Sequence, residues 1–400
     1  MLDLRNVGAM TPAIPQLTAF LDQAGTDGYL IDADGNDSHQ YYLSGYHMLD
    51  EFVTLYADER VTLLLPGPEC SQAERDSNGD EIRSRAEFRN AAELEDMDPR
   101  KARKRVTVDF LHAAGIDSVS VPVSFPVGTA DLLREHGIEV VPEYEYVLDE
   151  IRAVKRDHEI DHIRETQRAA EDGMATAEDL LERATVADGV LHLDGDPLTS
   201  ERVRDRIERA VLNRGCGLDQ CIVASGPAGA RAHDPGTGPL QANVPIIIDI
   251  FPRHKRTRYF GDMTRTVVKG TPSDRTREWY ALVSEASEAA LDTIRAGVTG
   301  ETVHAAVCDV FESAGYPTGR TADNPDSGFP HATGHGVGLD VHEAPHLAQQ
   351  AGELEAGHVV TVEPGLYEQG TGGVRLEDLV VVTDDGHENM TDYPRDLRVV

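Results

Sequence analysis

Four hundred residues are too many for one ordinary hydrophobic core, and a 40% apolar fraction is enough to pack two domains, 1–150 and 151–400. A formal net charge of −34, from 71 acidic side chains against 37 lysines and arginines, repels nucleic acid and anionic membranes and argues against both as partners. No apolar run approaches the roughly 18 residues of a membrane span, and the start MLDLRNVGAMTPAIPQL has no basic stretch leading into an apolar block, so a cytoplasmic protein without a signal peptide is expected.

Residues 1–150 alternate short apolar runs with helical periodicity, the pattern of an α/β layer. Tyr29-Leu30-Ile31, Phe52 to Tyr56, Val61 to Leu65, Ser118 to Val123 and Glu139 to Val141 read as strands. Helices fit around 13–24 and 128–136. Residues 71–104 are polar and charged, and read as a long exposed insertion with one helix. Ile151 to Asp161 is a charged bridge into a different pattern. A long helix fits from Glu159 to Ala184, with Ile160, Ile163, Met174, Leu180 and Leu181 among its apolar positions. Another fits 199–213 through Val203, Ile207, Ala210 and Val211. Helices near 273–295 and 300–314 have Ser273 and Thr299 as N-caps and Gly297 and Gly315 as stops.

Strand pairs lie between and after these helices. Val244 to Ile250 and Thr264 to Val268 bracket a turn rich in Arg and Lys. Val359 to Glu363 and Val374 to Val382 bracket a Gly-rich turn. Each pair has an apolar strand ending in a carboxylate, a turn, and a carboxylate entering a second apolar strand. This weak internal repeat predicts two similar hairpins facing each other across one site. Cys70, Cys216, Cys221 and Cys308 lack paired metal spacing and fit a reduced compartment without disulfides.

Carboxylates inside apolar strands need a partner, because a buried ionised carboxylate is costly unless paired or bound to metal. Asp249 follows three isoleucines, and Glu377 lies within Val374 to Val380. One alone would be a structural ion pair with Arg265 or Arg375. Four of them in matching hairpins (Asp249, Asp262, Glu363, Glu377), with His335 in the Gly-rich His331-Ala-Thr-Gly-His335-Gly-Val-Gly, point to a shared metal site. Four carboxylates and one imidazole suit manganese, cobalt or zinc. Two such ions about 4 Å apart can share one hydroxide, lower its pKa and polarise a carbonyl, as amide hydrolysis requires. The spacing of His331 and His335 imitates a helical zinc pair, but Gly334, Gly336 and Gly338 argue against a helix, so only His335 is assigned as a ligand. His233, His331 and His342 become candidates for holding substrate or moving protons.

These blocks resemble the pita-bread metallopeptidases, family M24, which includes aminopeptidase P, prolidase and methionine aminopeptidase. Asp249 and Asp262 sit in a D-x12-D-x-T-R-T block, followed by GHGVGLDVH, TVEPGLY and GVRLED. Tyr41-Tyr42-Leu43-Ser44-Gly45-Tyr46 is similar to the strand-and-turn motif of the family's creatinase-like N-terminal domain. Glu150-Ile-Arg152-Ala-Val-Lys155 is similar to the junction into the catalytic half. The resemblance implies an α/β N-terminal domain followed by a catalytic domain with a pseudo-symmetric antiparallel sheet and flanking helices. It implies that Asp249 chelates one ion, that His335 and Glu363 chelate the other, and that Asp262 and Glu377 bridge them. Glu363 would also take the proton of the attacking water. His233 and His342 would steady the scissile carbonyl, while His331 and Arg375 would position substrate or the groups that hold the ligands. The implied activity is hydrolysis next to proline, on a peptide with proline in second position, by a homodimer carrying Mn2+ or Co2+, with Zn2+ also compatible. The rival readings are a C–N hydrolase of the creatinase or ectoine-hydrolase kind, whose members tend to lose ligands, and a non-catalytic binding protein. Phe251 replaces the family's usual glycine, and the turn after it carries Pro252 and five basic residues from Arg253 to Arg258, so the pocket rim departs from the pattern.

The acidic residues are spread along the chain and do not form a tail. Only five lysines occur. Such a surface is stable when salt screens its self-repulsion, so adaptation to high salt is expected.

Overall fold

The computed structural model describes residues 14–88, 97–322 and 327–400, and the chain divides into two compact units, Met1–Ile151 and Arg152–Val400. In the first unit, β1 (Gly28–Ala33), β2 (Phe52–Ala57), β3 (Arg60–Leu65), β4 (Glu81–Ser84), β5 (Ser118–Pro122) and β6 (Glu139–Glu143) form one mixed sheet in the order β4-β3-β2-β1-β5-β6. The period-2 alternation of the strands sends side chains to two cores. Leu30, Val53 and Leu55 face the core that contains Phe110, Leu111, and Leu132 and Leu133 of α5 (Val127–Glu135). Tyr29, Ile31, Phe52 and Tyr56 face the core that contains Leu17 and Leu21 of α1 (Pro15–Ala24) and Leu43.

Two expectations for this unit change. Within 71–104, of which 89–96 lie outside the described residues, the side chains are mostly exposed or half-buried as expected, but the described stretches are parts of the fold and not an insertion with one helix. They include the end of α3 (Gly67–Asp76) and β4, which pairs in parallel with β3. They also include the start of α4 (Pro99–Ala113), whose N-cap Asp98 accepts from the N–H groups of Arg100 and Lys101. An edge strand has one neighbour and half-exposed side chains, so Glu81-Ile-Arg-Ser carries no apolar signature. The Tyr41 to Tyr46 motif is the end of a helix, α2 (Ser38–Ser44), not a strand. Asp37 caps its start, and Gly45 ends it at φ 61°.

The second unit is built twice over in plan. Helices α7 (Asp157–Arg183) and α8 (Ser200–Asn213) pack with the sheet of β7 (Cys221–Ser225), β8 (Pro245–Ile250) and β9 (Met263–Val268) around Met174, Ile207, Ile246 and Ile248. The short α6 (Val147–Ala153) precedes them in the chain. Helices α9 (Asp274–Thr293) and α10 (Gly300–Ser313) pack with a second sheet around Trp279, Phe311, Val360 and Val380. That sheet contains β10 (Gly334–Gly336), β11 (Glu343–Leu347), β12 (Val359–Val362) and β15 (Asp378–Val382) in the order β11-β10-β12-β15. Ser273 and Thr299 cap α9 and α10 as expected. The expected strand Val374 to Val382 is split. β13 (Gly365–Glu368) and β14 (Gly372–Arg375) form their own hairpin, and the chain breaks at Leu376-Glu377 before β15. The break turns Glu377 toward β9, where its N–H donates to the Thr264 carbonyl at 3.1 Å. No helix among the described residues is long and apolar enough to cross a membrane.

Candidate metal centre

Strand parity places the first carboxylate. In β8, Ile246, Ile248 and Ile250 face the core, so Asp249 lies on the opposite face, in register with Thr264 of β9. Asp262 stands just before β9. Its N–H donates to Gln167 Oε1 at 2.8 Å, and its carbonyl accepts from Gln167 Nε2 at 2.9 Å, so α7 fixes its backbone. Glu363 follows β12 and is anchored through its N–H to the Thr333 carbonyl at 2.8 Å. Glu377 accepts from Thr264 Oγ1 at 2.7 Å.

His335 lies in β10 beside a bulge, and its Nδ1 is 3.1 Å from the Gly336 carbonyl. With the proton on Nδ1, Nε2 has its lone pair toward Glu363 Oε1 at 3.4 Å and Asp262 Oδ2 at 3.9 Å. One donor atom from each of Asp262, His335 and Glu377 lies within 4.8 Å of the other two. Asp249 is linked to Glu377 through Arg375 and Thr264: Arg375 Nη2 donates to Asp249 Oδ2 at 2.6 Å and its Nε to Thr264 Oγ1 at 3.2 Å, while the buried Asp249 Oδ1 has no hydrogen-bond partner among the described residues.

The electrostatics favour a cation here. Burial, then Glu377, Asp249 and Glu363, push Asp262 well above the usual carboxylate range. Burial, then Glu363 and Asp249, do the same to Glu377. Burial raises Glu363 to about 8 against the pull of Arg375. Burial, then His342, lowers His335 to about 4, which keeps the imidazole neutral. Crowded carboxylates beside a neutral imidazole and an unpartnered buried oxygen fit hard or borderline divalent ions.

The other singled-out residues fall into two groups. His233 and His342 are exposed and line a cavity of about 780 Å³ together with Asp249, Asp262 and Phe251. The His342 ring meets His335 edge-on, with centroids 4.3 Å apart. The His233 loop is held by Arg204, which donates to the Gly236 carbonyl at 2.9 Å and also to that of Pro235. Gly236, at φ 72°, has Val223 O only 2.0 Å from where a Cβ would stand. By contrast, half-buried His331 and buried Arg375 form a chain behind the carboxylates. Arg375 Nη1 donates to the Tyr367 hydroxyl at 3.0 Å, and that hydroxyl lies 3.0 Å from His331 Nε2. Burial, then Arg375, hold His331 down at about 3. Gln167, Thr264 and Tyr367 carried no role in the sequence. A glutamine on the apolar face of a long helix and a threonine between Met263 and Arg265 in a fully buried strand were the available signals.

The family model described as Metallopeptidase family M24 matches residues 161–384. An Xaa-Pro dipeptidase of Pyrococcus horikoshii is 26% identical over 396 residues, 97% of this chain and 99% of that one. Among solved structures, an Xaa-Pro dipeptidase from Bacillus anthracis superposes with a TM-score of 0.81 at 26% identity, covering 97% of this chain and 99% of the other. An X-Pro aminopeptidase from Thermotoga maritima gives 0.75 at 25% identity over 94% and 98%.

Proposed function

Because this chain belongs to metallopeptidase family M24, we propose that it hydrolyses the peptide bond between a residue and a following proline. The observation that supports this reading is the cluster of Asp262, His335 and Glu377, with Glu363 3.4 Å from His335 and with Asp249 and Asp262 lining the cavity that His233 and His342 also line. In this reading Asp249, Asp262, His335, Glu363 and Glu377 would hold two divalent ions, manganese or cobalt with zinc also compatible. When bound, such ions activate water and polarise the scissile carbonyl.

The chain's own residues do the rest. His335 presents a neutral Nε2 because Nδ1 is committed to Gly336. Arg375 orients Asp249, and the Tyr367–His331 pair keeps Arg375 in place. Glu363, with a side chain 19% exposed, accepts the proton of the attacking water. His233 and His342 donate to the carbonyl oxygen as negative charge grows on it. Leu218, Ile222, Phe251 and Val341 give the cavity an apolar wall for the proline ring. The same reading makes the protein a cytoplasmic homodimer, which sedimentation and cell fractionation test.

Chelation followed by manganese or cobalt readdition is the direct experiment, run on Xaa-Pro dipeptides, longer Xaa-Pro peptides and ectoine. Activity on the proline substrates should vanish and return with the metal. Full activity after exhaustive metal removal would overturn the metal assignment, and turnover of ectoine alone would favour the rival hydrolase.

A further inference from the structure

The loop after His335 contains an ion-pair cluster outside the ligand set. Glu343 Oε1 accepts from Lys155 Nζ at 2.6 Å, and Oε2 accepts from Arg152 Nη2 at 2.6 Å. Oε2 also accepts the Asp340 N–H at 3.1 Å, and Arg152 reaches the Asp340 carboxylate at 2.8 Å. The side chains of Arg152, Lys155 and Glu343 are 3%, 1% and 5% exposed. Two cations therefore meet one buried carboxylate, Glu343, while the Asp340 carboxylate at the edge of the cluster is 49% exposed.

The cluster closes a loop. Gly336 pairs with Glu343 across the bulge at His335, so the chain from Val337 to His342 leaves and returns at one point. The Glu343 carboxylate fills the inside of that loop. A Cβ on Gly338 would stand 2.3 Å from Glu343 Oε1, so glycine is what admits the carboxylate. His342 is the residue just before Glu343. Its backbone is held at the clamp while its ring reaches the cavity wall against His335. Well-packed apolar residues could replace a buried ion pair with no loss of stability. What the ion pairs add is a fixed direction, because each bond specifies where the loop stands.

We propose that Glu343, gripped by Arg152 and Lys155, is a positioning residue that sets the His342 imidazole for the scissile carbonyl. This rests on reading His342 as a substrate-facing group. Glu343→Gln keeps the shape and one acceptor oxygen but releases the grip of Lys155. Metal-saturated Glu343→Gln, assayed well below its melting temperature, should lose tenfold or more in kcat. KM should stay within twofold and metal content at the parent's level.

The decisive measurement is the double-mutant cycle with His342→Ala. If both residues act through one imidazole, His342→Ala/Glu343→Gln is no slower than His342→Ala. Should Glu343→Gln fail to fold, the charge-balanced Lys155→Met/Glu343→Gln takes its place in the same cycle. Unchanged kcat, multiplicative losses, or a loss in step with bound metal would each overturn the positioning role. His342→Ala with full activity would overturn the reading of His342 itself, and the positioning role with it.

Discussion

His358 shows how far surroundings alone set a side chain's behaviour. It is 5% exposed, and its Nδ1 accepts the Glu355 N–H at 3.0 Å, so the buried ring is neutral. Burial, then Lys155, lower its pKa from 6.5 to about 4. As pH falls, the unfolded chain therefore binds this proton first. The stabilisation is complete above about 6.5 and is lost as pH falls through about 4, on the order of 3 kcal/mol in all. His358→Gln removes the titration. Urea unfolding of both proteins at pH 7 and pH 4.5 should show the parent losing more stability than the variant by a few kcal/mol. Equal losses would mean that His358 does not titrate in this window. Acid protonation of the carboxylate site is common to both proteins and cancels in the comparison. Arg375 behaves in the opposite way. Its side chain is 3% exposed, and its charge faces Asp249, Tyr367 and Thr264 instead of solvent, so it acts on the ligand set from behind.

At the scale of elements, two hairpin strands are joined by one hydroxyl. Thr264 Oγ1 donates to Glu377 Oε2 at 2.7 Å and lies 3.2 Å from Arg375 Nε, so β9 holds both the carboxylate and the arginine of the β14–β15 break. Thr264→Val keeps the shape of the strand and removes both bonds. Leaving buried polar partners unsatisfied costs about 1–3 kcal/mol. The variant should melt lower, bind metal more weakly, and recover much of its turnover at high metal concentration. Parent-like metal affinity would show that Glu377 is placed without Thr264. The threonine was visible in the sequence, but its role was not, because a hydroxyl in a strand gives no clue to which distant carboxylate it meets. The paired hairpins and their carboxylates were legible, since polar residues interrupting isoleucine and valine runs conflict with burial. The break at Glu377 was hidden because Val374, Leu376 and Leu379 to Val382 flank the charged Arg375, Glu377 and Asp378 as one strand would, and β14 and β15 are both fully buried. Edge strand β4 was hidden for the opposite reason, as its half-exposed residues leave no alternation.

The whole molecule carries −34, and its ion pairs do not remove that excess. Surface pairs such as Arg83–Glu87 and Arg183–Asp179 each contribute little in water. With 71 acidic residues against 37 basic ones, repulsion outnumbers attraction over any range that salt can screen. Buried pairs such as Arg265–Asp378, at 2.8 Å and 3% and 0% exposed, are far less sensitive to salt. Added salt therefore weakens few stabilising contacts and relieves many unfavourable ones. We propose that the protein is adapted to high salt, and expect its melting temperature to rise between low and molar potassium chloride, where the Debye length shortens to about 3 Å. The titration must be run with metal saturated, because an emptied cluster of four carboxylates adds its own repulsion. Sucrose at matched water activity provides the control, since it favours burial without screening charge. A rise with salt that clearly exceeds the rise with sucrose supports electrostatic relief. A melting temperature that does not move with salt would show that the acidic surface is already solvated well enough to fold without screening.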